Sequence, residues 1–511
     1  MAAGIGGSGN RFGETAIDAT FYTATLMSET APGTDSNAEP LIVSVSGLRG
    51  VVGAALTTEV AARYAAAFTA TLPPGPIVLG RDGRESGPLL AAAIMSRLEM
   101  GGRNVIDCGI VPTPTVGLAV RRHQAAGGIQ ISASHNPARY NGLKLFGAAG
   151  RVLTAEAGRE VLAEYGKLEG EGRVVPASGR AGERTDADPT SEHIRLVTSL
   201  VDASAIRRHR PRVWIDCGHG AGSRVALPLL EALGCDVVAV GAEPDGRFEH
   251  EPEPTAENLA GLLPQIAEAG AGIGFFLDPD ADRLAIADAS GGYLGEESTL
   301  ALCVEAVLAN TPGPVVVNCS TSGMTAAIAA RFGVPCHVSA VGEANVVNAM
   351  LAHGAILGGE GNGGVIDPRV VLVRDSAVAM ALVLNRMCVG ERLLSVADLA
   401  AALPQFVMKK TKVNLSPSTR GPGLAAALDR LEAAFSEAMP SRLDGLRLDW
   451  PGGWLLVRAS NTEPIVRLVA EVAVGHDGER AAHAAIDAAL TRAAAVLSEP
   501  HEGIQRGRPG E

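Results

Sequence analysis

Cysteine, aromatic side chains and clustered positive charge are all scarce in this chain of 511 residues. The seven cysteines, Cys108, Cys217, Cys235, Cys303, Cys319, Cys336 and Cys388, are scattered without any Cys-x-x-Cys spacing. That excludes a disulfide framework or a cysteine zinc site and fits a reducing, cytoplasmic setting. With only 4% aromatic residues but 62 glycines, the composition suits tightly packed α/β units rather than an aromatic-cored sandwich. Lys and Arg number 43 against 56 Asp and Glu, and no block of basic residues gathers on one segment. Nucleic acid and membrane surfaces are therefore not expected partners, and any bound anion must be met by a local site. No stretch reaches the ~20 uncharged apolar residues that a membrane span needs. Residues 1–39 lack the basic start and apolar run of a secretory signal and are rich in Gly, Ser, Thr and Ala. They are expected to be a disordered tail, dispensable as far as Met27, and residues 500–511 a second such tail.

What is present is a recurring unit. An apolar run ends in a polar residue and Gly at Ile77–Gly83, Val213–Gly218 and Val315–Gly323. Each is followed by a helix-like stretch, a Gly or Pro, and a second apolar run at Val105-Ile106, Val237–Val240 and Cys336–Val338. The spacing predicts strand, helix, strand three times over. After Pro404 the pattern changes to Phe406-Val-Met-Lys-Lys, a long Ala/Leu helix around Leu424–Ala438, and Trp454-Leu-Leu-Val-Arg. The expected fold is α/β: three related α/β domains with mixed sheets plus a smaller C-terminal α+β domain around a central cleft. The expected divisions fall at residues 40–185, 186–294, 295–403 and 404–499, with the Gly- and charge-rich stretch Glu169–Thr190 separating the first domain from the second.

Four short segments carry chemistry. Asp278-Pro-Asp280-Ala-Asp282-Arg283 follows the apolar strand Ile273–Leu277. Carboxylates at alternate positions of an extended segment point to one side and repel unless a cation sits among them, and hard oxygen ligands favour Mg²⁺. A calcium helix-loop-helix is a poor fit, because Arg283 and Ala289 stand where that loop needs Gly and Glu. Ile129-Gln-Ile-Ser-Ala-Ser134-His135-Asn-Pro137 is a strand ending in a polar loop, with Lys144 shortly after. A hydroxyl there can be a nucleophile or a phosphate carrier. It is not a Gly-x-Ser-x-Gly elbow, and adjacent Ser134 and His135 are not expected to face each other. Arg458-Ala-Ser460-Asn461-Thr462 through Arg467 brackets hydroxyls and an amide between two guanidinium groups, as a phosphate dianion requires. Gly358-Gly-Glu360-Gly-Asn362-Gly-Gly364 allows close backbone approach, with Glu360 and Asn362 able to bond paired hydroxyls.

In order and spacing these segments resemble the α-D-phosphohexomutase family, whose members include phosphoglucomutase, phosphomannomutase and phosphoglucosamine mutase. The resemblance runs from about Leu41 to Glu499. It implies a phosphoserine at Ser134 with Lys144 beside the transferring group, and Mg²⁺ held by Asp278, Asp280, Asp282 and an oxygen of phosphorylated Ser134. It further implies sugar reading by Glu360 and Asn362, and a grip on the unreacting phosphate by Arg458, Ser460, Asn461, Thr462 and Arg467. Arg49, in Ser46-Gly-Leu-Arg49-Gly50, is implied to approach the phosphoserine, and Arg283 to neutralise charge beside it. His250-Glu-Pro-Glu-Pro254 ahead of Asn258 also matches the family.

The chain departs from the family pattern at Ser44-Val45, at Ser132, and at Gly364, where many members carry a His proposed as acid/base. Lys144, Arg49 and His135 are then the candidate proton carriers. The Gly-Glu-Gly-Asn-Gly-Gly form resembles the archaeal-type phosphoglucosamine mutase branch. The implied reaction interconverts hexose 6-phosphate and hexose 1-phosphate through a bisphosphorylated intermediate, with a hexose 1,6-bisphosphate as activator. Glucosamine phosphate is the first choice of sugar, and mannose or glucose phosphate the alternative. Closure of the fourth domain, hinged near Pro404, is expected, in a monomer or homodimer. A Mg²⁺-dependent sugar phosphatase and a non-catalytic sugar-phosphate-binding regulator share parts of the pattern. The phosphatase has little use for the Arg458 loop, and the regulator has no need of Ser134 with an intact Asp triad.

Overall fold

The computed structural model describes residues 40–170, 181–414, 422–459 and 465–498. Both expected tails, and Ser460, Asn461 and Thr462, lie outside the described residues. Four sheets are formed. The first has seven strands in the order Ile42–Ser44, Gly47–Val51, Tyr140–Gly147, Gly127–Ile131, Ile77–Arg81, Val105–Ile110, Arg184–Asp186. The second runs Leu284–Asp288, Ile273–Leu277, Arg212–Asp216, Asp236–Val240, and the third Cys336–Ser339, Val315–Asn318, Leu357–Glu360, Gly364–Ile366. All three are mixed: parallel strand-helix-strand crossovers are completed by one antiparallel return in the second and third sheets, and in the first by an antiparallel return that two further antiparallel strands extend. The fourth sheet is wholly antiparallel: Phe406–Asn414, Ile465–Ala473, Gly453–Ala459, Leu446–Trp450, Met439–Ser441.

The repeat places three loops equivalently. Gly127–Ile131, Ile273–Leu277 and Leu357–Glu360 each leave their sheet at the carboxyl end and return as the antiparallel strand. Ser134, Asp278–Arg283 and Asn362 occupy those three turns, where open α/β sheets present ligand-binding groups. The stretch Glu169–Thr190 is not merely a separator, since Arg184–Asp186 pairs in parallel with Val105–Asp107 and its last residue crosses the expected 185/186 division. All three residues are exposed, so backbone pairing alone holds the strand and no apolar pattern marks it.

One continuous apolar core, from Val78 and Ile106 through Ile215 and Phe275 to Val317 and Leu357, runs under the first three sheets. Helix Ser376–Met387 is almost wholly buried in it and is capped by Asp375, whose side chain accepts from the Ala377 and Val378 N–H groups. The fourth sheet has a separate core around Leu431, Leu455, Val466 and Ile486. It meets the third domain through a small cluster of Cys319, Trp454 and Leu456. Three domains thus share one packed interior and the fourth is joined to them at a surface. Among the described residues no helix is long and apolar enough to cross a membrane.

Candidate active site

Ser134 lies in the loop after Gly127–Ile131 with φ of 49°, a left-handed conformation uncommon for a side-chain-bearing residue. It is 4% exposed, and its hydroxyl donates to Asp278 Oδ2 at 2.8 Å. His135 Nδ1 lies 3.3 Å from the same Oγ. The expectation that these neighbours would not face each other is therefore corrected. It assumed strand alternation, whereas the strand stops at Ile131 and the left-handed turn swings both side chains together.

The loop is held by a residue that the sequence did not mark for chemistry. Arg84, 1% exposed, donates to the carbonyls of Ser134 (2.6 Å), Asn136 (2.5 Å), Pro137 (2.7 Å) and Tyr140 (2.9 Å). Its Nε is 3.1 Å from Asp82 Oδ2, and its guanidinium lies over the ring of Phe248, 5.0 Å from the centroid. Arg49 reaches the other side of the loop, donating to Asn136 Oδ1 at 2.6 Å.

The Asp triad is also not extended. Residues 278–283 form a tight turn with Ala281 at φ 54°, so the carboxylates converge by turning rather than by alternation. Asp278 Oδ1 accepts the Asp282 and Arg283 N–H groups, both at 3.1 Å. Asp278, Asp280 and Asp282 are fully buried, with one oxygen of each within 4.8 Å of the others. Lys144 Nζ donates to Asp280 Oδ2 at 2.6 Å and Asp282 Oδ2 at 2.7 Å, and Arg283 Nε to Asp278 Oδ2 at 3.2 Å. Arg283 Nη2 also lies 3.4 Å from Ser134 Oγ.

A second unmarked residue, Arg374, closes this cluster. Its Nη2 donates to Asp282 Oδ2 at 2.6 Å, its Nη1 to Glu360 Oε2 at 2.7 Å, and its Nε lies 3.2 Å from Glu343 Oε2. Gly364 makes room for it, because a Cβ there would sit 2.3 Å from Arg374 Cδ. Glu360 also accepts from Asn318 Nδ2 (2.9 Å) and the Gly342 N–H (3.2 Å), so both its oxygens are engaged. Asn362 sits half-buried in the turn, taking the Gly364 N–H at 3.3 Å.

The balance of charge in the cluster suits a divalent cation. Five carboxylates, Asp278, Asp280, Asp282, Glu343 and Glu360, are paired with three cations, Lys144, Arg283 and Arg374. With all ionised, these five carboxylates and three cations carry a net charge of −2, and Arg49 nearby adds one positive charge that acts on Asp280 and Asp282. Burial, then the charges of Asp282 and Asp280, pushes the Asp278 carboxyl up to about 7. Burial also pushes Glu343 up to about 7, against the pull of Arg374. Burial opposes charge on Lys144 as well, but Asp280 and Asp282 outweigh it and hold the ammonium above its ordinary range. Asp280 Oδ1 and Asp282 Oδ1 are buried with no hydrogen-bond partner among the described residues. Buried orphan carboxylate oxygens are costly unless a cation meets them, and an all-oxygen donor set fits Mg²⁺. His135 behaves oppositely: burial, then Arg283 and Arg49, pushes it down to about 3, so its imidazole is neutral near pH 7.

Arg458 and Arg467 are directly opposite each other on Gly453–Ala459 and Ile465–Ala473. Arg458 Nε donates to Asp444 Oδ1 at 2.9 Å, while Arg467 is exposed. The Val341 N–H donates to the other Asp444 oxygen at 3.0 Å, tying this arginine to the third domain.

A buried serine hydroxyl set against a cation-ready carboxylate cluster is the equipment of a phosphoryl-transfer enzyme. The models of the phosphoglucomutase/phosphomannomutase alpha/beta/alpha domains I, II and III match residues 41–171, 191–291 and 296–406, and that of the C-terminal domain matches 414–488. The chain belongs to the phosphoglucomutase/phosphomannomutase family, that is, to the α-D-phosphohexomutases. It is 36% identical over 435 residues to a phosphoglucomutase/phosphomannomutase of Thermococcus kodakarensis, covering 83% of this chain and 93% of that one. It is 33% identical over 429 residues to a "Probable phosphoglucosamine mutase" of Methanopyrus kandleri, covering 83% and 92%. Among solved structures, a phosphoglucomutase/phosphomannomutase family protein of Burkholderia thailandensis superposes with TM-score 0.76 at 27% identity, over 90% of this chain and 99% of that one.

Proposed function

We propose that the chain interconverts glucosamine 6-phosphate and glucosamine 1-phosphate, with Ser134 carrying the phosphoryl group between them. The observation that supports this most is the Ser134 hydroxyl, 2.8 Å from Asp278 and flanked by Arg283 inside the carboxylate cluster. In the forward half, the bond from phosphorus to Ser134 Oγ breaks and a bond to a hydroxyl of the bound sugar phosphate forms, while the hydroxyl proton leaves. The bisphosphate then turns over, and Ser134 Oγ takes back the other phosphoryl group. Asp278, Asp280, Asp282 and an oxygen of phosphorylated Ser134 would hold Mg²⁺, which neutralises charge on the transferring group when bound. Lys144, Arg283 and Arg49 supply fixed positive charge around the same group. Of the candidate proton carriers, Lys144 is held as a cation, and neutral His135 beside Ser134 Oγ is the one able to accept.

Glu360 and Asn362 meet the sugar, and Arg458, Ser460, Asn461, Thr462 and Arg467 hold the phosphate that is not reacting. The four domains divide the labour as nucleophile, metal, sugar and phosphate domains. A hexose 1,6-bisphosphate is the proposed activator and small sugar phosphates the partners, in a cytoplasmic monomer or homodimer without nucleic-acid or membrane contacts. Names among the relatives favour glucosamine. One observation favours glucose or mannose phosphate instead: Arg374 already neutralises Glu360, which weakens the charge that would attract an amine. The test is kcat/KM for glucosamine, mannose and glucose 6-phosphates at one activator concentration, in native protein and Glu360→Gln. Glucosamine is expected to lead and to lose most in the variant. A mannose or glucose value equal to or above it overturns the sugar assignment.

A further inference from the structure

The cluster draws on three domains, and one side chain spans the gap between the metal ligands and the sugar loop. Arg374 lies in the connection between Gly364–Ile366 and helix Ser376–Met387. Its backbone is fixed on both sides: its own N–H donates to Glu343 Oε1 at 3.1 Å, and the Asp375 N–H to the Val365 carbonyl at 2.8 Å. Asp375 is held in turn by His193 Nε2 at 2.7 Å, and His193 Nδ1 by Thr115 Oγ1 at 2.9 Å, all fully or almost fully buried. The next residue is therefore clamped to the first and second domains, and the guanidinium projects from a rigid base. Its side chain is 13% exposed, and its stem crosses the face of Gly364. A planar fork can bond two carboxylates at once in a way a single ammonium cannot.

We propose that Arg374 is a positioning residue that sets the sugar loop against the metal-binding turn by holding Glu360 and Asp282 on its two terminal nitrogens. The proposal rests on the phosphohexomutase reading of the site. It makes two effects separable. The positive charge beside Asp282 competes with a bound cation for the same carboxylate, so removing it should strengthen metal binding. The fork beside Glu360 fixes the loop that meets the sugar, so removing it should weaken the sugar phosphate and slow turnover. A residue that merely supported the fold would lower both together when lost.

The experiment compares native protein, Arg374→Gln and Arg374→Lys, all treated with phosphatase. Mg²⁺ binding is measured by calorimetry in the absence of sugar, and kcat and KM are measured with glucosamine 6-phosphate at saturating Mg²⁺ after bisphosphate is added. Arg374→Gln is expected to bind Mg²⁺ at least threefold more tightly while its KM for the sugar phosphate rises at least tenfold. Arg374→Lys keeps the charge but not the fork, so Mg²⁺ binding should stay within twofold of native while KM still rises. Should Arg374→Gln fail to fold, the lysine variant alone decides: a native-like KM there overturns the proposal. Mg²⁺ binding that weakens in step with turnover in Arg374→Gln, or no change in either, also overturns it. Native protein without mutase activity towards any hexose phosphate would instead refute the reading on which the proposal rests.

Discussion

Replacing Arg84 by Gln removes the group that holds the loop of Ser134, the proposed nucleophile, in its left-handed turn. The native guanidinium serves four carbonyls of residues 134–140 and pairs with buried Asp82. Breaking a buried ion pair from one side costs ~3–5 kcal/mol, a large share of the ~5–15 kcal/mol by which domains of this kind are stable. Part of that cost is relieved because burial already pushes the Asp82 carboxyl upward, so it can take up a proton once Arg84 is gone. Glutamine reaches at most one or two of the four carbonyls, and the left-handed conformation of Ser134, itself costing ~1–3 kcal/mol, loses its restraint. A displacement of ~1 Å at a reacting atom costs about 100-fold in rate. Arg84→Gln is therefore expected to lower kcat by roughly that factor with KM little changed, since the proposed sugar and phosphate contacts, Glu360, Asn362, Arg458 and Arg467, lie in other domains. Steady-state kinetics together with urea unfolding separate the two effects. A folded Arg84→Gln protein with kcat within threefold of native would refute the reasoning, and if that variant does not fold, Arg84→Lys with native kcat would do the same.

Further outcomes follow from the same geometry. Asp280→Ala should abolish turnover, and excess Mg²⁺ should not restore the native rate, because the carboxylate also anchors Lys144 at 2.6 Å; recovery of native kcat at high Mg²⁺ would contradict this. His250 is raised above its ordinary value, chiefly by its hydrogen bond to Asp216 and against burial. The stability this pair contributes is fully present below about pH 6.5 and is lost as pH rises through the raised value. Thermal melts between pH 6 and 9 should show a fall in Tm that is shallower in His250→Gln, and parallel curves would count against the pair.

The sequence shows the repeated unit because each strand is apolar on both faces and ends in a polar turn, as at Val213–Gly218 and Val315–Gly323. The same signal locates Ser134 and the three aspartates, since each follows such a strand. How those residues converge was not legible. The left-handed turns at Ser134 and Ala281 decide it, and neither residue type announces a positive φ. Arg84 and Arg374 were missed for a different reason. Each lies in a segment whose local pattern serves the fold, and their partners stand 50 and 92 positions away, at Ser134 and Asp282. Two asymmetries could have drawn attention to them: an Arg directly after Arg-Asp-Gly at a strand end, and an Arg-Asp pair interrupting the apolar run before Ser376–Met387. The edge strand Arg184–Asp186 had no such mark, because its side chains are exposed and only its backbone pairs.

The proposed role of Ser134 is to carry the phosphoryl group. It is tested most directly by incubating phosphatase-treated protein with glucose 1,6-bisphosphate and measuring the mass of the intact chain and of its peptides, with Ser134→Ala alongside. One added phosphate per chain is predicted, located on Ser134 and absent from the variant, with mutase turnover in Ser134→Ala reduced by orders of magnitude. Turnover in Ser134→Ala above a few per cent of native, or a phosphate on another residue that persists in the variant, would contradict it.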